Sequence, residues 1–437
     1  MMKHLLKTVT AGFSLLALVL GTGCSQHSPS GNQSQPRTVT VAQQGNADVT
    51  GSDNVAIQRA ADMLGPGDTL EIGPGEYLLH NSVIIPVSGV TVRGVPGETI
   101  LKKARAVLSM IVEGGDWGES VFVVAEPDKF KTGMGVSLLD DTNSQGYGVV
   151  TGTVTDVRSD TVFLSERSVN DLNYVNGNAR LESTFPLLAG YELENVVIEG
   201  ITADGNKDQN PFRLDGCRGG AIYLFDCRNI TIRNCVARNY NGDGISWQIT
   251  DKISVLECES YGNTGLGLHP GTGSSNSVIT DCHAHHNGIV GLFLCYRVQH
   301  GKFTGNLLEN NGRYGISIGH KDSDNLFENN TVRNNGFSGV YFRRNPLRVG
   351  GHRNVFRNNE ILNNGDKARG YGVFAEAENQ DEIFENNVIA ETRAGGEATQ
   401  RYGVYIAKGN SSVKAGNNEM KGHSEADFHD ENATSMK

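Results

Sequence analysis

The sequence predicts an all-β solenoid, a stack of coils each built of short strands and tight turns. Three observations carry the prediction. A motif recurs from Ile232-Arg-Asn-Cys235 to Phe384-Glu-Asn-Asn387, and its last residues, 235, 258, 282, 306, 330, 359 and 387, step by 23, 24, 24, 24, 29 and 28. Beside it runs a second register of Asn-Gly pairs, beginning at Asn241, Asn287, Asn311, Asn335 and Asn364. The 437 residues hold 55 Gly but only 11 Pro, with no Gly-X-Y period, so turns are abundant and collagen is excluded.

The elements follow in chain order. Lys3, His4 and Lys7 precede an apolar run, Ala11 to Leu20, too short to span a bilayer. It ends Leu20-Gly21-Thr22-Gly23-Cys24, which resembles a bacterial lipoprotein cleavage box with Gly21 where Leu is usual. That resemblance implies an exported chain, lipidated at Cys24 and held at the outer membrane or cell surface; an ordinary signal peptide cleaved nearby is the alternative. Residues 25–38, rich in Ser, Gln and Asn, read as a flexible tether. Ser52 to Gly65 reads as an amphipathic helix with Ser52 as N-cap, and 39–100 as that capping helix with the first coils. Residues 101–189 break the period. Val121-Phe-Val-Val, Gly135-Val-Ser-Leu-Leu, Thr151-Gly-Thr-Val and Thr161-Val-Phe-Leu alternate, so a β-rich insertion is expected there. Coils fill 190–420, and the polar end, 421–437, is expected to fray.

A single coil of about 24 residues cannot bury its apolar face alone; stacking on neighbours can. Stacking brings like positions to the strand spacing, about 4.8 Å. Asn306, Asn330, Asn359 and Asn387 would then form an amide ladder, and Cys235, Cys258 and Cys282 would fill the same slot as small buried side chains. With Cys217, Cys227 and Cys295 these are six cysteines besides Cys24, none with zinc spacing.

The helix followed by Gly67-Asp68-Thr-Leu-Glu-Ile-Gly73-Pro74-Gly75-Glu-Tyr77, and the repeat after it, resemble the right-handed parallel β-helix of the pectin-lyase-like superfamily. The resemblance covers roughly 40–100 and 190–420.

Net charge is −11, which argues against a general nucleic-acid binder. Candidate chemistry comes from register. If the Gly opening each strand is aligned, the first outward row reads Tyr223, Ser246, His269, Phe293, Ser317, Tyr341, Phe374. The second reads Phe225, Gln248, Gly271, Cys295, Gly319, Arg343, Glu376. Aromatic and planar polar groups on one face suit a sugar-binding groove. Beside them come Tyr296-Arg297, His300, His320-Lys321-Asp322 and Arg343-Arg344, a cationic cluster suited to a uronate; solvated turn charges are the alternative. The loop from Asp204 through Asp215 to Arg218 would wall one side, and 345–353 the other. His283, His285 and His286 fall away from this face.

The resemblance implies an enzyme acting on a polysaccharide, first a lyase that breaks uronate links by β-elimination. Its base would be Lys321 or Arg297, its acid His320 or Tyr341, and its carboxylate clamp Arg343. His269 lies further along the groove, and Tyr223, Gln248, Asp243, Asp322, Asp204 and Arg218 would contact the sugar. In such lyases a cation or Ca²⁺ neutralises the carboxylate, so Ca²⁺ is the one cofactor the resemblance brings in; no Asp cluster with the family's calcium spacing is found. A glycoside hydrolase, a C5-epimerase and a non-catalytic binding or adhesive β-helix are the alternatives. The hydrolase would need a carboxylate pair. Asp140-Asp141 is a consecutive pair but lies in the insertion.

Overall fold

The computed structural model describes residues 35–376 and 378–433. The leader, Cys24 and most of the tether lie outside these.

Three long parallel sheets form a β-helix. The first sheet has 13 strands and runs from the edge strand Val49–Thr50, paired with Thr38–Ala42, to Lys414–Gly416. The second has 11, from Gly75–Leu79 to Glu419–Lys421, and the third 11, from Val83–Ile85 to Ala426–Asp430. A coil visits each in turn, as Arg228–Arg233, Val236–Arg238 and Ile245–Gln248 do. Alternate residues point inward, so Ile230, Ile232, Ala237, Ile245 and Trp247 are all buried. Further along, Phe303, Phe327, Phe356 and Phe384 occupy one inward position on successive coils, their ring centroids 4.9, 4.4 and 4.9 Å apart.

The repeated motif makes the corner between the first and second sheets. Its penultimate residue takes left-handed backbone: Asn234, Glu257, Asp281, Gly305, Asn329, Asn358 and Asn386 all have φ between 51° and 70°. The last residue then turns inward and bonds along the stack. Asn330 Nδ2 donates to Asn359 Oδ1, and Asn359 Nδ2 to Asn387 Oδ1, both at 2.9 Å. Cys282 N–H donates to Asn306 Oδ1 at 3.0 Å, so the cysteines do share the slot. A second ladder runs through Asn263, Asn287, Asn311, Asn335 and Asn364 to Gln400. Asn241 is not in it; the buried ring of Tyr240 fills that slot.

The helix spans Asn54–Ala61 and covers the N-terminal end of the core with Ile57, Ala60 and Ala61. Its N-cap is Asp53 rather than Ser52, because the Asp53 carboxylate accepts the Ala56 N–H at 2.9 Å. The insertion closes into an antiparallel six-stranded barrel, from Leu108–Glu113 to Arg180–Glu182, with its own core around Phe122, Val136, Leu138, Val154 and Leu181. The C-terminal end differs from expectation. Ala426–Asp430 continues the third sheet, pairing in parallel with Tyr402–Ile406.

Candidate active site on the third sheet

Both outward rows stand as the register implies. Tyr223 pairs with Ser246, Ser246 with His269, Phe293 with Ser317, Ser317 with Tyr341, and Tyr341 with Phe374. The row continues through Tyr405 to His429. Depth, however, divides it in two.

Over the N-terminal coils the loop 205–220 lies on the sheet and closes it. Tyr223 is buried, and its hydroxyl donates to the Cys217 carbonyl at 2.7 Å. Ser246 Oγ and Gln248 Nε2 both donate to the Gly216 carbonyl, at 2.7 and 3.2 Å. Gly216 packs so closely that a Cβ there would lie 1.8 Å from Asp243 Oδ2. Arg218 ties the loop to the barrel, donating to the Tyr147 carbonyl at 2.8 Å and lying over its ring. Tyr223, Gln248 and Asp243 are therefore covered rather than lining an open groove. Arg218 instead borders a cleft of about 370 Å³ with Thr153, Glu166 and Tyr191. Asp204 is elsewhere, on the second sheet, where it pairs with Arg238 at 2.7 Å.

His269 lies beneath this cover. Its Nδ1 is 2.8 Å from Asp243 Oδ2 and 3.3 Å from Ser246 Oγ, and its ring meets Phe293 edge to face at 5.4 Å. Its Nε2 is buried with no hydrogen-bond partner.

Toward the C-terminal end the face carries half-buried aromatics. Tyr314 stacks on Tyr341 at 4.4 Å, Tyr341 on Phe374 at 5.7 Å, Phe374 on Tyr371 at 4.6 Å and Tyr371 on Tyr402 at 5.5 Å. The Tyr341 hydroxyl donates to Glu376, and burial together with that carboxylate holds its pKa above the ordinary tyrosine value. Tyr371 and Tyr402 join this face although neither stands in the outward rows; the strand pattern Tyr-Gly-Val-(Phe/Tyr) at 371 and 402 is their signal, whereas Glu376 stands in the second row.

The edge of this face gathers part of the cationic cluster. Arg297 N–H donates to the His320 carbonyl at 2.9 Å, and the Tyr296 and His320 rings are 5.7 Å apart. Lys321 N–H donates to the Val349 carbonyl at 2.8 Å, which brings the turn containing Arg348 alongside. Arg297, His320 and Lys321 all have left-handed backbone, and the Arg297 and Lys321 side chains are exposed. His320 is half-buried; burial, then Arg343, lowers its pKa. Arg343 and Asp322 are not exposed at this edge. Arg343 turns inward, donating to Ser317 Oγ, the Leu294 and Cys295 carbonyls and Asp322 at 2.7–3.1 Å. Burial pushes Asp322 up to about 7.

Among the described residues, one group of three could hold a metal ion: Glu259, His283 and His285, whose ligand atoms lie within 4.8 Å of one another. It sits on the second sheet, and its imidazole nitrogens suit a transition metal better than Ca²⁺.

A family profile described as a right handed beta helix region matches residues 199–347. No curated protein matches. Among solved structures, the mannuronan C-5 epimerase AlgE6 A-module of Azotobacter vinelandii is similar at TM-score 0.52 and 15% identity, over 86% of this chain and 94% of that one. The surface adhesin PfbA of Streptococcus pneumoniae is similar at TM-score 0.53 and 13% identity, over 86% and 87%. The catalytic domain of a GH87 α-1,3-glucanase with bound tetrasaccharides is similar at 0.53 and 13%, over 92% and 69%. The chain is thus a right-handed parallel β-helix. Proteins as different as an epimerase, an adhesin and a glucanase share that scaffold, so activity has to be argued from the side chains.

Proposed function

We propose that the chain is a carbohydrate-active enzyme that cleaves a uronate-containing polysaccharide by β-elimination on the C-terminal half of the third-sheet face. The aromatic row from Tyr314 to Tyr402 supports this best: its half-buried rings stack on one another along one line and so form a continuous apolar strip against which a sugar chain can lie. The bordering cations Arg297, Lys321 and Arg348 suit an anionic chain.

The acid and base follow from environment. A base has to be neutral, and His320 is the group in the cluster whose surroundings favour the neutral form. It takes the C5 proton. Tyr341, whose proton is held by burial and Glu376, gives a proton to the leaving oxygen as the C4–O bond breaks and C4=C5 forms. Lys321 and Arg297 hold the carboxylate, a role Arg343 cannot take from inside. A hydrolase would need two carboxylates facing one sugar, and Asp322 and Asp243 are both buried.

A panel of polysaccharides read by ultraviolet absorbance tests this. New unsaturated ends are expected. Reducing ends without absorbance would mean hydrolysis, and deuterium entering C5 without cleavage would mean epimerisation. Binding with none of these would leave an accessory or adhesive role. Each of the last three outcomes overturns the lyase assignment.

A further inference from the structure

A second group of reactive side chains lies on the same sheet, two coils before Tyr341, and β-elimination leaves it unused. Cys295 occupies the second outward row between Gly271 and Gly319. The two glycines leave gaps that their neighbours fill. A Cβ on Gly271 would lie 2.0 Å from Gln248 Nε2, and one on Gly319 would lie 3.1 Å from Arg343 Nε. Gln248 and Arg343 thus close in on the cysteine from either side.

His269 faces the same sulfur from the preceding coil. Its Nδ1 is engaged by Asp243 at 2.8 Å, which leaves Nε2 as the free ring nitrogen. The imidazole is near enough to Cys295 to interact with the thiol, although no hydrogen bond of ordinary geometry reaches Nε2. Arg343 Nε is also buried and unpartnered. Two buried donors without partners therefore flank one half-buried thiol, where ordinary packing would leave none. Cys235, Cys258 and Cys282 show the packing alternative: their sulfurs rest against backbone carbonyls at 3.3–3.8 Å. Cys295 instead has the Thr272 hydroxyl at 3.9 Å.

We propose that Cys295 is the nucleophile of an acyl-transfer site that hydrolyses carboxylic esters, with His269 as its acid–base partner and Asp243 as the positioning residue that orients the imidazole. The thiolate attacks the ester carbonyl carbon. The alkoxy C–O bond breaks, and the alcohol leaves with the His269 Nε2 proton. Water then attacks the thioester and gives a proton to His269; the S–C bond breaks and the acid departs. Arg343, whose Nη2 donates to the Cys295 carbonyl at 3.0 Å, offers its unpartnered Nε–H to the oxyanion. A hydrogen bond with the Cys217 thiol, and then His269, lower the Cys295 pKa against burial; neighbouring thiols do the same to the packed Cys258, so the imidazole is what sets Cys295 apart. For His269 burial lowers the pKa, and Asp243 and Cys295 more than offset it. Asp322, His320 and Tyr147 are the other titratable groups facing this site.

The test uses the full chain and iodoacetamide at about pH 6, where an ordinary thiol is almost wholly protonated. Peptide masses should show Cys295 alkylated before Cys217, at least about tenfold faster than in the urea-unfolded chain. His269→Gln, checked for native circular dichroism, should lose that advantage. With p-nitrophenyl acetate as probe, an acyl adduct should appear on Cys295, and both adduct and turnover should vanish in Cys295→Ser. Alkylation no faster than in urea would overturn the proposal. So would a Cys217–Cys295 disulfide that persists in thiol reductant.

Discussion

Asn330 Nδ2 donates to Asn359 Oδ1 and to the Phe303 carbonyl at 2.9 Å each, while its own Oδ1 accepts from Asn306. Asn330→Leu strands all of these in the interior. We expect a loss of about 1–3 kcal/mol for each unsatisfied group, read by urea or thermal unfolding. A melting temperature within error of the parent would show that the ladder carries no weight. Lys321 is the opposite case. It is exposed, so Lys321→Ala should change stability by no more than about 0.5 kcal/mol while lowering turnover on the identified polysaccharide. Full activity in both Lys321→Ala and Arg297→Ala would remove the carboxylate-binding edge. His320 sets the pH dependence. As a base it works when neutral, and its pKa lies below the ordinary 6.5, so activity should rise with pH through a midpoint below that value. A midpoint above it would point to another base.

At the scale of elements, the loop 205–220 decides which half of the third sheet is open. Gly216→Ala would drive a Cβ to within 1.8 Å of Asp243 and 2.7 Å of His269. The loop should lift, with a cost of about 1–3 kcal/mol and faster proteolysis within 205–220; unchanged proteolysis would mean the contact yields easily. Glu391 organises the turn before the coil at Tyr402. It accepts from Arg393 at 2.9 Å and from the Thr399 and Gln400 N–H groups at 2.8 Å. Burial raises its pKa, but Arg393 and those amides outweigh burial and hold it at about 2, below the ordinary 4.5. A carboxyl depressed in the fold stabilises above its unfolded pKa, so this contribution should fade as pH falls from about 4.5 toward 2. Glu391→Gln should flatten that part of the stability curve.

These elements also show what was legible beforehand. Corners, ladders and outward rows follow from spacing, because a stacked coil turns sequence period into adjacency. Depth does not follow. Nothing in the spacing says that Gly216 lets a loop reach Asp243, or that Arg343 folds inward past Gly319. The barrel's strands were readable by alternation, but its closure joins Leu108–Glu113 to Arg180–Glu182, too far apart for local pattern. Asp204 was misplaced because the loop leaves from the second sheet, not the third.

For the whole molecule, stacking leaves two ends to protect. At the start, the helix Asn54–Ala61 covers the core. At the finish, Lys414–Gly416 and Glu419–Lys421 are short, and the exposed Lys and Glu there discourage strand addition. Removing 36–66 should therefore give an aggregating chain by light scattering; a monodisperse product would show that the cap is dispensable. Placement in the cell is a further expectation. If Cys24 carries lipid, Cys24→Ser should move the protein out of the membrane fraction, and unchanged fractionation would count against the anchor.

The second ladder has a consequence for chemical ageing. Asn287, Asn311, Asn335 and Asn364 each precede Gly, the pairing in which an amide side chain is most readily lost through attack by the next backbone nitrogen. In the fold those nitrogens are already donating, from Gly288, Gly312, Gly336 and Gly365 to carbonyls one coil back at 2.7–3.0 Å. The side-chain carbonyls are held by the neighbouring Asn in the stack. Deamidation is thus confined to the time the coils spend unwound. Each event then leaves aspartate or isoaspartate, which has no amide N–H with which to rejoin the stack. Heat damage should accumulate as an irreversible record at these four asparagines, while the same dipeptides in the folded protein stay intact.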